Sequence, residues 1–549
     1  MRKPASGFRL IFGYLGIFLI FEGLVTLCPL ITLIFYPEES KVWLDFAIPA
    51  FGAIIIGAIL FFTLIARRPK GRFGRNEDAL LLVLLWISAI VLGSLPFYLT
   101  KFSVLNYGDT SLDLGMSYSE CFFESMSGYS ATGLTVLPNK VFLDLVDSSS
   151  SYSAPHIFLF HRAFMQFIGG VGLVLIVAGA LSDRYNLKLY FAEGHNDKLM
   201  PNLGKSAKVI FGIYFGYIVI GSISFYLAGM TPFDAICHSI AAIATGGFST
   251  RGSGIVYFQT ASSGNGILPV NAIAIEIIAI VLMLLGATNF VLHTFLLRGK
   301  WKQFFKDIEI RLAFWLILLF TVITTLSTLY LYSDGNVVTG LDFWTSLRYS
   351  VFNIVSSLTT TGFSNFSSVA ALGQVAVFSG ILMMAVGGGM GSTSGAIKQY
   401  RFAIILKDFQ YSIRYRFSSS HQVNPNPAYR LGELREEDSS TSDEAHNYTL
   451  LYLLFFLIGA VSLMFLPGIS VSQGAYDYMS ALSGTGLDII NFYAYKLSEP
   501  AFYPALLWIL SAGMFIGRLE ILPAYYALKR LFYDPFKNIK NRSNKPEEV

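Results

Sequence analysis

Long apolar runs separated by short polar loops recur along almost the whole chain of 549 residues. A helix that crosses the hydrocarbon core of a membrane needs about 20 mostly apolar residues. The pattern predicts ten such helices, at residues 8–35, 47–66, 79–100, 158–181, 209–227, 270–297, 312–331, 375–405, 448–465 and 501–531. No stretch between them is long enough for a separate soluble domain, so the sequence predicts a helical protein that crosses the membrane many times.

The composition supports a membrane protein. Charged residues make up 13% of the chain, against roughly 25% in soluble proteins. The formal net charge is +4, and the excess of basic residues lies in short loops between apolar segments. This distribution is typical of residues that orient a membrane protein, so membrane lipid, and not nucleic acid, is the predicted partner. The three cysteines lack metal-ligand spacing. The seven histidines form no HExxH motif, and no GxSxG motif is evident, so an intramembrane enzyme is the disfavoured alternative from another class.

Lys and Arg concentrate in alternate loops. The cation-rich loops contain Arg67, Arg68, Lys70, Arg72 and Arg75, then Lys188, Lys198 and Lys205, then Arg298, Lys300, Lys302 and Lys306, then Lys407, Arg414 and Arg416, and finally Lys529, Arg530, Lys537 and Lys540. Cytoplasmic loops carry the excess of Lys and Arg, so these loops and both termini are predicted to be cytoplasmic. The polar segment 418–447 is predicted to be a mobile linker on that side.

A short amphiphilic stretch that ends in Thr-Gly follows the third, fifth, seventh and ninth predicted spans. The four dipeptides are Thr132-Gly133, Thr245-Gly246, Thr361-Gly362 and Thr485-Gly486. One Thr-Gly is a common loop dipeptide, but four copies after alternate spans indicate an internal repeat. Four copies of span, short helix, turn and span would enclose a pore around one axis.

The turns suit a cation pore. Irregular backbone at membrane depth is tolerated where it is buried or lines a water-filled path, and glycine permits the positive φ that lets successive carbonyls point the same way. Rings of backbone carbonyls can replace the hydration shell of a monovalent cation. The short helices would point their C-terminal ends, which favour cations, at the pore centre.

A glycine-rich stretch at 387–395 interrupts the eighth predicted span. Each glycine costs a helix about 1 kcal/mol relative to alanine, so a broken helix is predicted there. The stretch matches neither GxGxxG nor a Walker motif, while close helix packing through small residues stays an alternative. Arg518 lies in an apolar span, which predicts that it faces an internal cavity or a partner. An ion pair with Glu520 or another acid is the alternative.

These residues, with the motifs Gln166-Phe-Ile-Gly-Gly-Val-Gly172, Gly286-Ala-Thr-Asn289 and Gly517-Arg518-Leu-Glu520, resemble the Trk/Ktr/HKT superfamily of cation transporters. The bacterial TrkH/TrkG branch is the more similar one, because it has two extra N-terminal spans. The resemblance covers nearly the whole chain. It implies potassium uptake through a pseudo-fourfold pore in the bacterial cytoplasmic membrane, by a homodimer controlled by a cytoplasmic nucleotide-binding ring protein of the TrkA type. It implies no cofactor, with K⁺ as the transported ion.

The resemblance implies an all-α polytopic protein with four pseudo-symmetric helix, pore-helix, helix repeats plus two N-terminal transmembrane helices. The expected segments are the N-terminal pair at 1–76, pore repeats at 77–205, 206–305, 306–417 and 448–535, the linker at 418–447 and a cytoplasmic tail at 536–549. The expected filter residues are Ala131, Thr132, Gly133, Ala244, Thr245, Gly246, Thr360, Thr361, Gly362, Gly484, Thr485 and Gly486. The expected gate residues are Gly387, Gly388, Gly389, Gly391, Ser392, Thr393, Ser394, Gly395 and Arg518.

Two features bear on ion selectivity. Some plant members of the superfamily that prefer sodium have serine at the position of Gly133, so glycine in all four repeats resembles the potassium-selective pattern. The second repeat departs slightly, with Ala244 and the pair Gly246-Gly247, so its turn is expected to be looser. A symporter coupled to sodium or protons, or a sodium-permeable transporter, stays an alternative.

Overall fold

The computed structural model describes residues 7–66, 77–107, 114–138, 141–143, 155–171, 203–261, 268–333, 342–366, 368–417, 427–436 and 439–519. The ends of the fourth and tenth predicted spans, the cation-rich loop 67–76, most of the loop around Lys198, Glu520 and the predicted tail at 536–549 lie outside the described residues.

Six helices of the described part are long and apolar enough to cross a membrane. They occupy Phe8–Ile34, Pro37–Leu64, Ala79–Lys101, Lys208–Leu227, Ile308–Leu329 and Ser439–Met464. Their outward faces carry large apolar side chains such as Ile56, Phe62 and Trp315, each more than half exposed, as suits contact with lipid. These helices confirm the predicted all-α, multi-pass architecture.

Shorter helices lie between and after these six in the described part of the chain. The α-helices are Phe8–Leu27, Trp43–Leu64, Glu77–Tyr107, Tyr118–Tyr129, Pro155–Val171, Leu203–Leu227, Pro232–Ile243, Tyr257–Thr260, Ala272–Gly286, Phe290–Leu297, Trp301–Lys306, Ile308–Ser333, Phe343–Leu358, Gln374–Val386, Gln399–Phe417, Ser439–Met464, Val471–Ser483, Phe492–Ser498 and Tyr503–Arg518. Short 3₁₀ helices lie at Cys28–Ile34, Pro37–Val42, Gly254–Val256 and Val369–Leu372.

Two predicted spans are not straight helices. The eighth is interrupted between Gln374–Val386 and Gln399–Phe417, as its glycines predict. The sixth bends by 113° between Ala272–Gly286 and Phe290–Leu297, which the sequence did not predict. At the bend the Asn289 side chain accepts a hydrogen bond from the Val291 amide at 2.8 Å and so begins a new helix.

The predicted linker at 418–447 is only partly a linker. Strands Pro427–Arg430 and Glu433–Glu436 form an antiparallel hairpin, and the next helix begins at Ser439, nine residues before the predicted span. The hairpin is held at its turn, where the Leu431 amide donates to the Asp307 carboxylate at 2.9 Å. The polar composition of this segment predicts a mobile chain. Composition does not show the hydrogen bond that holds the hairpin, because its acceptor, Asp307, lies far away in the sequence.

Four short helices, here called pore helices, precede the four turns: Tyr118–Tyr129, Pro232–Ile243, Phe343–Leu358 and Val471–Ser483. Ser117, Thr231, Asp342 and Ser470 cap their N-termini by accepting a hydrogen bond from the amide three residues on. Hydrogen bonds from Thr345 hold the pKa of the exposed Asp342 carboxyl below its usual value. The second half of each pore helix is buried.

The N-terminal helix pair packs closely through small residues. A Cβ on Gly16 would lie 2.7 Å from the Gly57 carbonyl oxygen, so glycine permits the approach. The pair also reaches the pore repeats, because the fully buried Glu22 carboxylate accepts a hydrogen bond from the Tyr129 hydroxyl at 2.8 Å. Tyr129 is the last residue of the first pore helix. The N-terminal pair therefore braces one of the four turns.

Replacing Tyr129 with phenylalanine is expected to destabilise the protein by about 1–3 kcal/mol, because Glu22 then stays buried without its donor. Glu22→Gln keeps an acceptor for the hydroxyl and is expected to cost less. Thermal unfolding of the purified variants in detergent measures both. Equal losses for the two variants would contradict a stabilising role for this hydrogen bond.

Candidate functional site

The chain reverses after each pore helix with one backbone pattern. The first turn residue has positive φ: 53° at Ala131, 49° at Thr245, 52° at Thr360 and 71° at Gly484. Two residues later a glycine has positive φ: 101° at Gly133, 72° at Gly247, 87° at Gly362 and 88° at Gly486. The amide between them donates to the carbonyl five residues earlier, in all four turns. We call these four three-residue turns the turn ring.

The four turns close on one another. A Cβ placed on each ring glycine would overlap with a carbonyl oxygen of the next repeat. The pairs are Gly133 with the Gly246 oxygen, Gly247 with the Thr361 oxygen, Gly362 with the Thr485 oxygen and Gly486 with the Thr132 oxygen. Each repeat therefore contacts the next in the same way, and the ring is fourfold.

The structure corrects the expected alignment of the second repeat. Gly247, not Gly246, has the conformation and the contact of Gly133, so the second turn is Thr245, Gly246 and Gly247, and Ala244 precedes it. The second Thr-Gly dipeptide is thus one residue out of register with the other three. The turn is not looser, because its glycine packs against the neighbouring carbonyl as tightly as the others do.

A polar residue nine positions before each ring glycine fastens the segment that follows the turn. Glu124 accepts from the Val136 amide at 2.9 Å, and Asp477 accepts from the Ile489 amide at 2.8 Å. In the other two repeats, the His238 ring nitrogen Nε2 lies 2.8 Å from Ser249 Oγ, and Asn353 accepts from Ser364 Oγ at 3.1 Å. Although their chemistry differs, these four side chains share one structural role.

The buried Arg162 joins the first two repeats. Its Nε donates to Glu124 at 2.6 Å and its Nη1 donates to the Ser249 carbonyl at 3.1 Å. Its guanidinium lies 3.9 Å from the centre of the Phe248 ring. Because the Glu124 carboxylate neutralises it, Arg162 holds the turn ring without adding a net positive charge.

On one side of the turn ring lies a cavity of about 290 Å³, here called the vestibule. It is lined by the four ring glycines and by the residues that follow them. On the opposite side lies the segment Gly387–Lys398, here called the glycine loop, between helices Gln374–Val386 and Gln399–Phe417.

The glycine loop hydrogen-bonds directly to the turn ring. Thr393 Oγ1 lies 3.0 Å from Thr245 Oγ1, and its one hydroxyl proton has the Gly286 and Ile243 carbonyls within hydrogen-bond distance, at 2.8 and 3.1 Å. Ser394 Oγ lies 2.8 Å from Thr360 Oγ1. The loop therefore fills the space below the second and third turns.

The loop also reaches the other two repeats. Gly395 packs against the Ser483 carbonyl so closely that a Cβ there would overlap with it. Arg518 donates from Nη1 to the Thr393 carbonyl at 3.1 Å and from Nη2 to the Gly169 carbonyl. Arg518 thus ties the loop to the helix that follows the first turn. Glu520, the alternative partner, lies outside the described residues.

Little space is left between the loop and the ring. The cavity lined by Ala131, Thr393, Gly484 and Arg518 measures about 10 Å³, whereas a cavity needs at least about 10–15 Å³ to hold one water. The space between the loop and the ring therefore holds one water at most.

The glycine loop is itself anchored from outside. The Gly389 amide donates to the Ala287 carbonyl at 2.8 Å, and the Phe290 amide donates to the Gly391 carbonyl at 3.2 Å. These bonds lie at the 113° bend of the sixth span, so the loop docks where that helix is broken. The Met390 amide donates to Glu309 at 3.2 Å.

Comparison with known proteins agrees with this architecture. A family model described as TrkH, cation transport protein, matches residues 50–532. The Trk system potassium uptake protein TrkH of Salmonella typhimurium is 28% identical over 533 residues, covering 94% of this chain and 97% of that protein. An uncharacterized cation transporter of Methanocaldococcus jannaschii is 28% identical over 521 residues, covering 94% of each chain.

A solved structure has the same fold. The crystal structure of the potassium transporter TrkH from Vibrio parahaemolyticus superposes with a TM-score of 0.74 at 25% sequence identity, covering 96% of this chain and 99% of that one. The family match, the relatives and the fourfold ring agree over nearly the whole length. The chain belongs to the TrkH family of cation transport proteins.

Proposed function

We propose that this chain is the membrane subunit of a potassium uptake system and passes K⁺ through the centre of the turn ring. The observation that carries the proposal is the closed fourfold ring, in which each glycine packs against a carbonyl of the next repeat. Rings of backbone carbonyls replace the water around a monovalent cation. The relatives named as Trk potassium uptake proteins align over the same length.

The turn ring acts as the selectivity filter in this proposal. Its residues are Ala131, Thr132, Gly133, Thr245, Gly246, Gly247, Thr360, Thr361, Gly362, Gly484, Thr485 and Gly486. The four pore helices end at the ring, and the C-terminus of a helix carries a partial negative charge of about half an elementary charge. That field favours a cation at the centre of the ring.

The glycine loop acts as the gate, with Arg518 holding it shut. Residues Gly387, Gly388, Gly389, Gly391, Ser392, Thr393, Ser394 and Gly395 belong to it. Two features support this role: the loop occupies the ion path, and it is tied to the ring by side-chain hydrogen bonds that can be exchanged for water. Its glycines allow the backbone to change conformation at low steric cost.

The gate is controlled from the cytoplasmic side by a nucleotide-binding ring protein of the TrkA type, and the subunit works as a homodimer in the bacterial cytoplasmic membrane with both termini inside. The cation-rich loops support this orientation. The hairpin at 427–436 offers a route for control. Its Arg430 contacts the Met390 sulfur at 3.3 Å, within the glycine loop, and covers the Tyr400 ring at 3.5 Å.

Cation flux into proteoliposomes that contain the purified protein tests this function. We expect influx of K⁺ and Rb⁺ that exceeds influx of Na⁺ and Li⁺, driven by the membrane potential alone. The same vesicles are measured with and without an imposed proton or sodium gradient, and with the glycine-loop variant Thr393→Val.

Flux that requires a second ion gradient would identify a symporter instead. Equal flux of Na⁺ and K⁺ would identify a sodium-permeable transporter. If the unmodified protein shows no cation flux and Thr393→Val does, the gate is closed in the unmodified protein. If neither protein shows cation flux, the result would contradict the proposed pore.

A further inference from the structure

Among the described residues that line the vestibule, one carries a carboxylate. Asp488 lies two residues after the ring glycine Gly486 and lines the vestibule, where its side chain is exposed. The matching residues of the other repeats are Thr135, Ser249 and Ser364, which line the same cavity. At this level the fourfold ring therefore presents three hydroxyl groups and one acid.

The other charged residues at the vestibule are already neutralised. Arg162 pairs with Glu124 at 2.6 Å, and Arg251 pairs with Asp234 at 2.5 Å. Within the described part of the chain, no Lys, Arg or His side chain forms an ion pair with Asp488. The charge of Asp488 therefore acts on the vestibule itself.

A second carboxylate lies behind Asp488. The buried Asp477 accepts hydrogen bonds from the Ile489 and Ile490 amides at 2.8 and 3.0 Å, directly after Asp488 in the chain. These hydrogen bonds fix the segment that carries Asp488 and so hold its carboxylate at the vestibule.

We propose that Asp488, supported by Asp477, forms an entry site that holds one hydrated monovalent cation in the vestibule before it reaches the turn ring. The vestibule of about 290 Å³ has room for an ion with several waters, each of which takes about 30 Å³. Negative charge in a cleft raises the local concentration of cations. This inference rests on the proposed pore, because it assigns the first binding step of the same path.

Rubidium influx into proteoliposomes tests the site. We compare the full-length protein with Asp488→Asn, which removes the charge at nearly constant shape, and with Asp488→Glu, which keeps it. At an ionic strength of about 10 mM, Asp488→Asn is expected to raise the half-saturating Rb⁺ concentration about fivefold, and at about 300 mM less than twofold, because salt screens the field. Asp488→Glu restores the lower value. The ratio of Rb⁺ to Na⁺ flux stays unchanged, because the ring carbonyls are intact.

The matched control is Glu38→Gln, which removes an exposed acid that does not line the vestibule. It is expected to leave half-saturation unchanged. An equal shift in both variants would show a general surface-charge effect and would overturn the entry site, as would an unchanged value in Asp488→Asn.

Equilibrium dialysis of ⁸⁶Rb⁺ against the purified proteins at low ionic strength separates the site from transport. Weaker Rb⁺ binding by Asp488→Asn than by the unmodified chain supports the site even where no influx occurs. If Thr393→Val shows no influx either, that combination would contradict the proposed pore alone. Influx that is selective for Rb⁺, with unchanged binding and half-saturation in Asp488→Asn, would overturn the entry site and leave the pore standing.

Discussion

Replacing Gly247 with alanine is expected to abolish the preference for K⁺ over Na⁺, whereas alanine at the adjacent Gly246 keeps most of it. Gly247 has a φ of 72°, and a Cβ there would overlap with the Thr361 carbonyl oxygen of the next repeat. The backbone at Thr361 cannot move away from this Cβ without displacing its own carbonyl oxygen from the ring. The expected loss is at least about tenfold in the K⁺ to Na⁺ flux ratio, equal to about 1.4 kcal/mol.

Gly246 is the matched control because it is also a glycine of the second turn and lies one position before Gly247. A Cβ on Gly246 would lie 2.5 Å from the amide end of the Gln166 side chain. That amide donates to the Gly246 carbonyl and accepts from the Phe248 amide at 3.3 Å, but a side-chain end can shift more easily than backbone. The matching residues Thr132, Thr361 and Thr485 carry side chains at this position, so the backbone there accepts a Cβ. We expect the flux ratio of Gly246→Ala to fall by less than about threefold.

The measurement is the flux ratio in proteoliposomes, with the amount of folded protein determined by size-exclusion chromatography. Gly133→Ser serves as a second ring variant, and a comparable loss of preference is expected because its Cβ meets the Gly246 oxygen. If Gly246→Ala lost the preference and Gly247→Ala kept it, the sequence alignment of the Thr-Gly dipeptides would be right and the structural register wrong.

The register of the second repeat shows how far the sequence alone could lead. Four Thr-Gly dipeptides predicted four turns after alternate spans, and the structure has a turn at each. The dipeptide misplaced the second turn by one residue, since its first residue matches Ala131 rather than Thr132. A better signal was available: the polar residue that fastens each turn lies nine positions before the ring glycine, and His238 is nine before Gly247.

Other features needed the fold. The 113° bend at Gly286 arises where the glycine loop, about a hundred residues further along, donates to and accepts from the broken helix. Local composition did not show this, because residues 272–297 are mostly apolar and were interpreted as one continuous span. The free-energy cost of a charged residue in the membrane predicts that Arg518 faces a cavity or a partner. Its two acceptors, the Thr393 and Gly169 carbonyls, could not be predicted, because they come from segments far apart in the sequence.

Weakening the contacts of the glycine loop is expected to raise potassium flux, with the largest effect in Arg518→Ala. Arg518 joins the loop to the first repeat through two carbonyls. Hydrogen bonds from a charged group contribute about 1.5–3 kcal/mol, and each 1.4 kcal/mol changes the ratio of open to closed molecules about tenfold. We therefore expect flux through Arg518→Ala to increase at least about tenfold if the closed state dominates.

The Arg518→Ala result alone would not separate a loosened loop from the loss of a positive charge that repels cations. Thr393→Val makes the separation, because it removes the hydroxyl bonds to Thr245, Ile243 and Gly286 and leaves the charge of Arg518 in place. Ser392→Ala is the control within the loop, since its hydroxyl donates to the Gly389 carbonyl inside the loop itself, at 2.6 Å.

Rubidium flux and the current–voltage relation of each variant together distinguish a loop that blocks the pore from a positive charge that repels cations. A loop that blocks the pore predicts higher flux in both Arg518→Ala and Thr393→Val, with Ser392→Ala close to the unmodified protein. Higher flux in Arg518→Ala alone would mean that the positive charge is the barrier and that the loop serves packing. Lower flux in folded Thr393→Val would likewise assign the loop a packing role, because a blocking segment that loses its hydrogen bonds to the ring cannot reduce passage through it.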